Sequence, residues 1–176
     1  MEIWDILDEN GNITGETMCK GDKKVWEEGI YHQGVDAWII NSENKLLIQK
    51  RSPKKRLEPN VWAMTGGSVI KGETVLEAIQ RETLEELGIK LNREDLTFIG
   101  SSLSENIKGD IVNKHFNEYY IANKDVDETK LHLQEEEVSE VKWIDKDEII
   151  KKIKNNFEGI TDKEGCWEYL IKYYEW

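Results

Sequence analysis

Gly66-Gly67-Ser68-Val69-Ile70-Lys71-Gly72-Glu73-Thr74-Val75-Leu76-Glu77-Ala78-Ile79-Gln80-Arg81-Glu82-Thr83-Leu84-Glu85-Glu86-Leu87-Gly88-Ile89 reads as a glycine-rich loop running into one well-marked helix. Thr74 followed three residues later by Glu77 forms a capping box, and Gly88 supplies a C-terminal stop, so the spacing predicts a helix over Thr74 to Leu87. Val75, Leu76, Ile79, Thr83 and Leu87 fall on one side at about 100° per residue, which predicts packing against a sheet, with Leu84 off the stripe. Glu82, Glu85 and Glu86 stand at i, i+3 and i+4 and converge on a face bordering that stripe, where solvent screens them only in part. Two unit charges about 4 Å apart at an effective dielectric near 20 repel by on the order of 4 kcal/mol. A divalent cation reverses that sign, and carboxylate oxygens favour Mg²⁺ or Mn²⁺.

The neighbours of these glutamates extend the reading. Arg81 can reach Glu77 and Glu85 at i±4 and hold a carboxylate in a fixed orientation. Ala78, one turn before Glu82, either leaves room above the carboxylates or is there because alanine favours helices. The preceding glycines let backbone approach the acidic face, so the carbonyl of Gly66 is a candidate metal ligand.

Outward from this stretch, Ile3-Trp4-Asp5-Ile6-Leu7, a turn through Asn10-Gly11 and a run from Ile13 predict an N-terminal hairpin. Val35 to Ile40 and Lys45 to Arg51 predict a second hairpin around Asn41-Ser42-Glu43-Asn44. Leu96 to Ser101, Phe116 to Ala122 and Glu140 to Ile144 predict further strands. Asp145 with Glu148 marks a helix through about Phe157, and a last helix from about Gly165 places Trp167, Leu170, Ile171 and Tyr174 in a stripe read as core. The basic run Lys50-Arg51-Ser52-Pro53-Lys54-Lys55-Arg56 offers phosphate contacts, above all Lys50 and Arg51, while Lys54 and Lys55 suit an ordinary solvated loop equally well.

A length of 176 residues fits one domain over 1–176. With 24 basic against 36 acidic residues, a net charge of −12 argues against nucleic acid as a partner. The chain has neither a basic leader nor an apolar run near the ~20 residues of a membrane span, so the expectation is a cytoplasmic protein without membrane contact. Cys19 and Cys166 lack CxxC spacing, which predicts free thiols. Only their presence suggests His32, His115 and His132 as a metal set, so they are read as structural or exposed.

The pattern Gly67-x5-Glu73-x7-Arg81-Glu82-x-x-Glu85-Glu86-x-Gly88-Ile89 resembles the box of the Nudix hydrolase family, a long motif without gaps; Thr83 departs from it, with a hydroxyl where an aliphatic side chain is usual. Leu46 to Arg51 and Trp62 to Gly66 also look like the strands that precede the box in that family. The resemblance implies an α/β fold, an α/β/α sandwich around a mixed β-sheet, here with an N-terminal β-hairpin and C-terminal helices. It implies Mg²⁺-dependent, or Mn²⁺-dependent, cleavage of the diphosphate linkage in a nucleoside diphosphate joined to another group. A homodimer is a separate expectation, which the resemblance does not fix. Carried over by position, Glu82, Glu85 and Glu86 are metal ligands, Gly66 a carbonyl ligand, Arg81 the orienting partner and Glu73 a loop anchor. Candidates for the general base are Glu86 and the run Glu135-Glu136-Glu137, whose other reading is solubilising charge. Two alternatives share the fold. The N-terminal hairpin, His32 and Gln49-Lys50-Arg51-Ser52 resemble the isopentenyl-diphosphate isomerase branch, but that branch uses a cysteine just ahead of the box, where this chain has Trp62-Ala63-Met64-Thr65-Gly66-Gly67. A non-catalytic nucleotide-sensing domain usually loses a box carboxylate, and this chain keeps them all.

Overall fold

Alternation along one strand sorts the hydrophobic core into two layers. In the computed structural model, which describes residues 2–22, 28–108, 111–161 and 165–175, β3 spans Tyr31–Ile40. Val35, Ala37 and Ile39 point to one face, where they meet Ala78, Ile79 and Leu87 of α1 (Val75–Leu87). Trp38 and Ile40 point to the other, against Ile149 of α2 (Lys146–Lys154) and Trp167 and Leu170 of α3 (Cys166–Tyr173). Because side chains alternate with a period of two, a strand covered on both faces must be apolar at successive positions, as Val35 to Ile40 is apart from Asp36. The result is the expected α/β/α sandwich.

Among the described residues, the sheet between the helices has nine strands and is mixed. β3 runs parallel to β8 (Ile111–Asn123), with His32 opposite His115 and Gly34 opposite Asn117. It is antiparallel to β4 (Leu46–Arg51) and to β6 (Thr65–Ser68), which follows the short β5 (Trp62–Ala63). β7 (Leu96–Lys108) pairs with β8, and β9 (Val138–Ile144) pairs with β4. The N-terminal hairpin of β1 (Ile3–Leu7) and β2 (Ile13–Cys19) joins β3 through Leu7 and Tyr31. Its Trp4 and Met18 are buried in a small cluster of their own beside Ile70, and the Lys71 amide donates to the Ile3 carbonyl at 2.7 Å. The hairpin is thereby fastened to the loop that leads into α1.

α1 forms as its end signals dictate. Glu77 N–H donates to Thr74 Oγ1 at 3.3 Å, the Thr74 amide donates to Glu77 Oε2 at 2.8 Å, and Gly88 closes the helix in the left-handed region at φ 72°. α2 departs from expectation at both ends: Asp145 sits at the cap position without a side-chain capping bond, and the helix stops at Lys154. Beyond it, Asn156 and Phe157 take left-handed φ values, which a helix cannot continue through. β7 and β8 each run 13 residues, well past the expected strands, because their outer halves pair with each other up to Lys108 and Ile111.

Candidate active site

The acidic turn of α1 is built from its own loop upward. Arg81 Nε and Nη2 donate to the two carboxylate oxygens of Glu73 at 2.9 and 3.0 Å, and Nη2 also donates to the Ser68 carbonyl at 3.0 Å. Glu73 in turn accepts from the Ile70 amide at 3.2 Å. The fork of Arg81 therefore locks loop to helix, and its remaining nitrogen, Nη1, donates to Glu82 at 2.8 Å and to Glu85 at 3.4 Å. Glu73 acts as the anchor expected of it. Glu77, the other partner expected for Arg81, is instead spent on the capping box.

Glu86 lies on the buried side of the same turn, only 6% exposed, and accepts from Gln49 Nε2 of β4 at 2.8 Å. Gln49 is oriented by Thr65, whose hydroxyl donates to its Oε1 at 3.1 Å. Burial, reinforced by the charge of Glu82, pushes the Glu86 carboxyl up to about 8 against the hydrogen bond from Gln49. Burial also raises Glu82, opposed by Arg81 and then by Lys20 of the hairpin. Arg81 is raised: desolvation works against its charge, but the hydrogen bond to Glu73 and the charge of Glu82 outweigh it. Glycine is required beside this turn, since a β-carbon at Gly67 would collide with the Glu82 carboxylate and one at Gly66 with Asp36 and the Val35 carbonyl.

A cavity of about 520 Å³ collects these groups. Glu82, Glu85, Glu86 and Gly66 line it, as do Arg51, Lys54, Lys55 and Arg56. Arg51 reaches the Leu57 and Glu58 carbonyls at 3.0 and 3.2 Å, shaping the basic loop. From the acidic run, Glu136 and Glu137 line the cavity and pair with Lys54 and Lys55, whereas Glu135 lies outside the lining and receives the Ser52 hydroxyl on its carbonyl. Among the described residues no three carboxylates or imidazoles are already gathered as a ligand set.

Two sequence expectations separate here. Lys50 does not line the cavity with Arg51: neighbours on a strand face opposite ways, so Lys50 turns toward Trp62 and Glu140. Ala78 packs in the core against the sheet and does not line the cavity, so its small size serves helix–sheet packing. Asp36 and Asn117 carry no local mark of function, Trp4 reads only as part of the hairpin, and His32 and His115 read as structural or exposed, yet all five line the cavity. The signal was present in alternation: on the α2–α3 face, β3 reads His32, Gly34, Asp36 before Trp38 and Ile40, and β8 reads Asn113, His115, Asn117 before Tyr119 and Ile121. The first three positions of each inward row are polar or glycine, which a core does not require. His132, by contrast, sits beside the helix stop at Gly88 and takes no part.

A family model described as the NUDIX domain matches residues 30–162. The chain belongs to the Nudix family. An uncharacterized Nudix hydrolase of Listeria monocytogenes is 37% identical over 150 residues, covering 85% of this chain and 83% of that protein. The chloroplastic isopentenyl-diphosphate Delta-isomerase I of Arabidopsis thaliana is 27% identical over 170 residues, covering 88% of this chain and 58% of that protein. A solved structure from Deinococcus radiodurans superposes with a TM-score of 0.72 at 23% identity, covering 97% of this chain and 98% of the other, and so shares the fold. In this Nudix hydrolase the matched segment contains every box residue but stops short of the hairpin that brings Glu2, Trp4 and Lys20 to the cavity.

Proposed function

We propose that this Nudix hydrolase cleaves the diphosphate linkage of a nucleoside diphosphate joined to another group, with Mg²⁺ or Mn²⁺ held by Glu82, Glu85, Glu86 and the Gly66 carbonyl. One observation carries the reading: a single cavity holds the three box glutamates and faces them with Arg51, Lys54, Lys55 and Arg56. Diphosphate is the ligand that complements both, since its oxygens take cationic side chains directly and carboxylates through a divalent cation. The residues fit a hard cation. Glu86 is an acid buried inside the cavity and pushed up to about 8, and nearby positive charge is what keeps such a carboxylate ionised at neutral pH. When bound, the ion supplies Lewis acidity to the phosphate oxygens and a lowered pKa to water.

The protein's own groups supply position and proton transfer. Arg81, fixed by Glu73, holds Glu82 and Glu85 in place. Arg51 and the lysines of the basic loop neutralise charge on the phosphates. Water forms the new bond to phosphorus, the bond from that phosphorus to the bridging oxygen breaks, and the departing phosphate takes the electron pair. The water proton passes to a carboxylate facing the cavity, Glu86 or Glu137. Prenyl diphosphate isomerisation would call on a thiol here, but neither Cys19 nor Cys166 lines the cavity, and Cys166 is buried in the core.

The test is a Mg²⁺-dependent screen over ADP-ribose, nucleotide sugars, dinucleoside polyphosphates, NADH, nucleoside triphosphates and isopentenyl diphosphate, with products identified. Hydrolysis of a nucleoside diphosphate derivative, reduced by two or more orders of magnitude in a folded Glu86→Gln variant, is expected. An isomerised prenyl product without phosphate release, or an unimpaired Glu86→Gln enzyme, would overturn the reading.

A further inference from the structure

We infer that the end of the cavity walled by Trp4, His32, His115 and Asn117 recognises the nucleoside half of the substrate, an uncharged group offering both hydrogen-bond donors and acceptors. The inference rests on the hydrolase reading above and assigns to that site what holds the substrate away from its phosphates.

The sheet builds this end deliberately. His32 and His115 lie opposite one another on β3 and β8, Ser104 of β7 lies opposite His115, and Gly34 lies opposite Asn117. All four polar side chains are less than a tenth exposed. Such a buried polar row inside a sandwich is costly unless its groups find partners. Asn117 Nδ2 donates to Asp36 at 2.5 Å, which fixes the amide. The indole N–H of Trp4 and the side-chain oxygen of Asn113, one donor and one acceptor, are buried without a hydrogen-bond partner among the described residues, and both residues line the cavity. Gly34 keeps the floor open, because a β-carbon there would run into Asn117 and press on His115.

Charge defines what fits. Desolvation lowers the His32 imidazole to about 4, so it is neutral at physiological pH, and Asp36 on the same row repels an anion. Lys20, on the hairpin, is held by Glu2 at 2.7 Å. A further phosphate is therefore better placed at the other end, among Arg51, Lys54, Lys55 and Arg56. An isoprenoid tail would leave the Trp4 indole N–H and the Asn113 side-chain oxygen without partners. A nucleoside satisfies them and stays uncharged. Trp4 reaches the site through a stack on His32, with ring centroids 4.7 Å apart and planes 11° from parallel. Part of the recognition wall thus comes from the hairpin, outside the matched segment 30–162.

Calorimetry on the full chain with Mg²⁺ present tests this, using AMP, GMP, CMP and UMP against inorganic phosphate, and isopentenyl diphosphate against pyrophosphate. None of the monophosphates contains a diphosphate linkage, so binding is read apart from turnover. At least one should bind about tenfold or more tighter than inorganic phosphate, and His115→Leu should remove most of that margin while leaving phosphate binding unchanged. Ser104→Ala, a milder change on the same wall, should lower the margin in the same direction and carries the test if His115→Leu does not fold. The inference is overturned if no nucleotide exceeds phosphate, if the variants weaken phosphate and nucleotide alike, or if only the isoprenoid compound gains over its phosphate control. A nucleotide margin with no hydrolysis of any diphosphate compound would sink the hydrolase proposal alone. Hydrolysis with a KM unmoved by both variants would sink the nucleoside site alone.

Discussion

His32 is an acid-sensitive residue by position: interior, stacked on Trp4, and lowered by burial from 6.5 to about 4. Its folded-state pKa lies below its unfolded value, so between the two the unfolded chain binds the extra proton. The stability contributed by the neutral imidazole is fully present above pH 6.5 and is lost as pH falls toward 4. Urea unfolding at pH 7 and pH 5 should show a loss of about 2 kcal/mol from this group, and His32→Gln should flatten that part of the slope whatever its own stability. An unchanged slope in the variant would mean the imidazole is not desolvated. The same residue shows why site residues were only half legible. A histidine in a strand carries no mark of which face it occupies until its partner strand is known, and here β8 contributes the matching His115 from more than eighty positions away. Arg51 and Lys50 were equal in sequence for a similar reason. Strand alternation sends one into the cavity and the other to Trp62, but the direction of the cavity is not written locally. Glu82, Glu85 and Glu86 were legible because helical spacing alone puts them together.

At the scale of elements, α1 and α2 form a natural contrast, since both begin with a capping signature and only one forms the bonds. Thr74 exchanges hydrogen bonds with Glu77, whereas Asp145 makes no side-chain capping bond. Thr74→Ala should cost about 1 kcal/mol of stability, and Asp145→Ala only a few tenths, measured by the same denaturant titration. Equal costs would place the capping energy in the helix dipole instead of the hydrogen bonds. α1 could be drawn from sequence because both its ends are local events, a capping box and a left-handed glycine. The lengths of β7 and β8 could not. Their outer halves, Ser102 to Lys108 and Ile111 to His115, are held by pairing with each other more than by apolar alternation, and pairing is a property of two segments. The end of α2 was misplaced for a related reason: Phe157 keeps helical spacing from Ile153 and packs against the core, yet its backbone has already turned left-handed. Hydrophobic periodicity reports where a side chain must go and says less about the backbone that takes it there.

For the whole molecule, the net charge of −12 makes metal binding easy to confuse with ordinary screening. Any salt relieves repulsion among 36 acidic and 24 basic residues, so a rise in thermal midpoint with MgCl₂ or MnCl₂ proves nothing by itself. A bound ion differs in being saturable and in depending on particular side chains. At a concentration about 100-fold above its dissociation constant it adds about 2.7 kcal/mol, which for a chain of this size is a shift of roughly 5–10 °C. MnCl₂ should therefore raise the midpoint beyond NaCl of equal ionic strength, with the excess levelling off at high concentration. Glu82→Gln and Glu86→Gln should each lose that excess while keeping the NaCl response. Glu135→Gln removes the same unit of charge from a residue outside the cavity and should keep both responses. If Glu135→Gln lost the excess as fully as the box variants, the effect would belong to overall charge and not to the acidic turn of α1. If instead the excess were absent from the wild-type chain, Glu86 would have to be protonated at neutral pH, as its burial alone dictates, and the turn would lack the charge needed to hold a cation against phosphate.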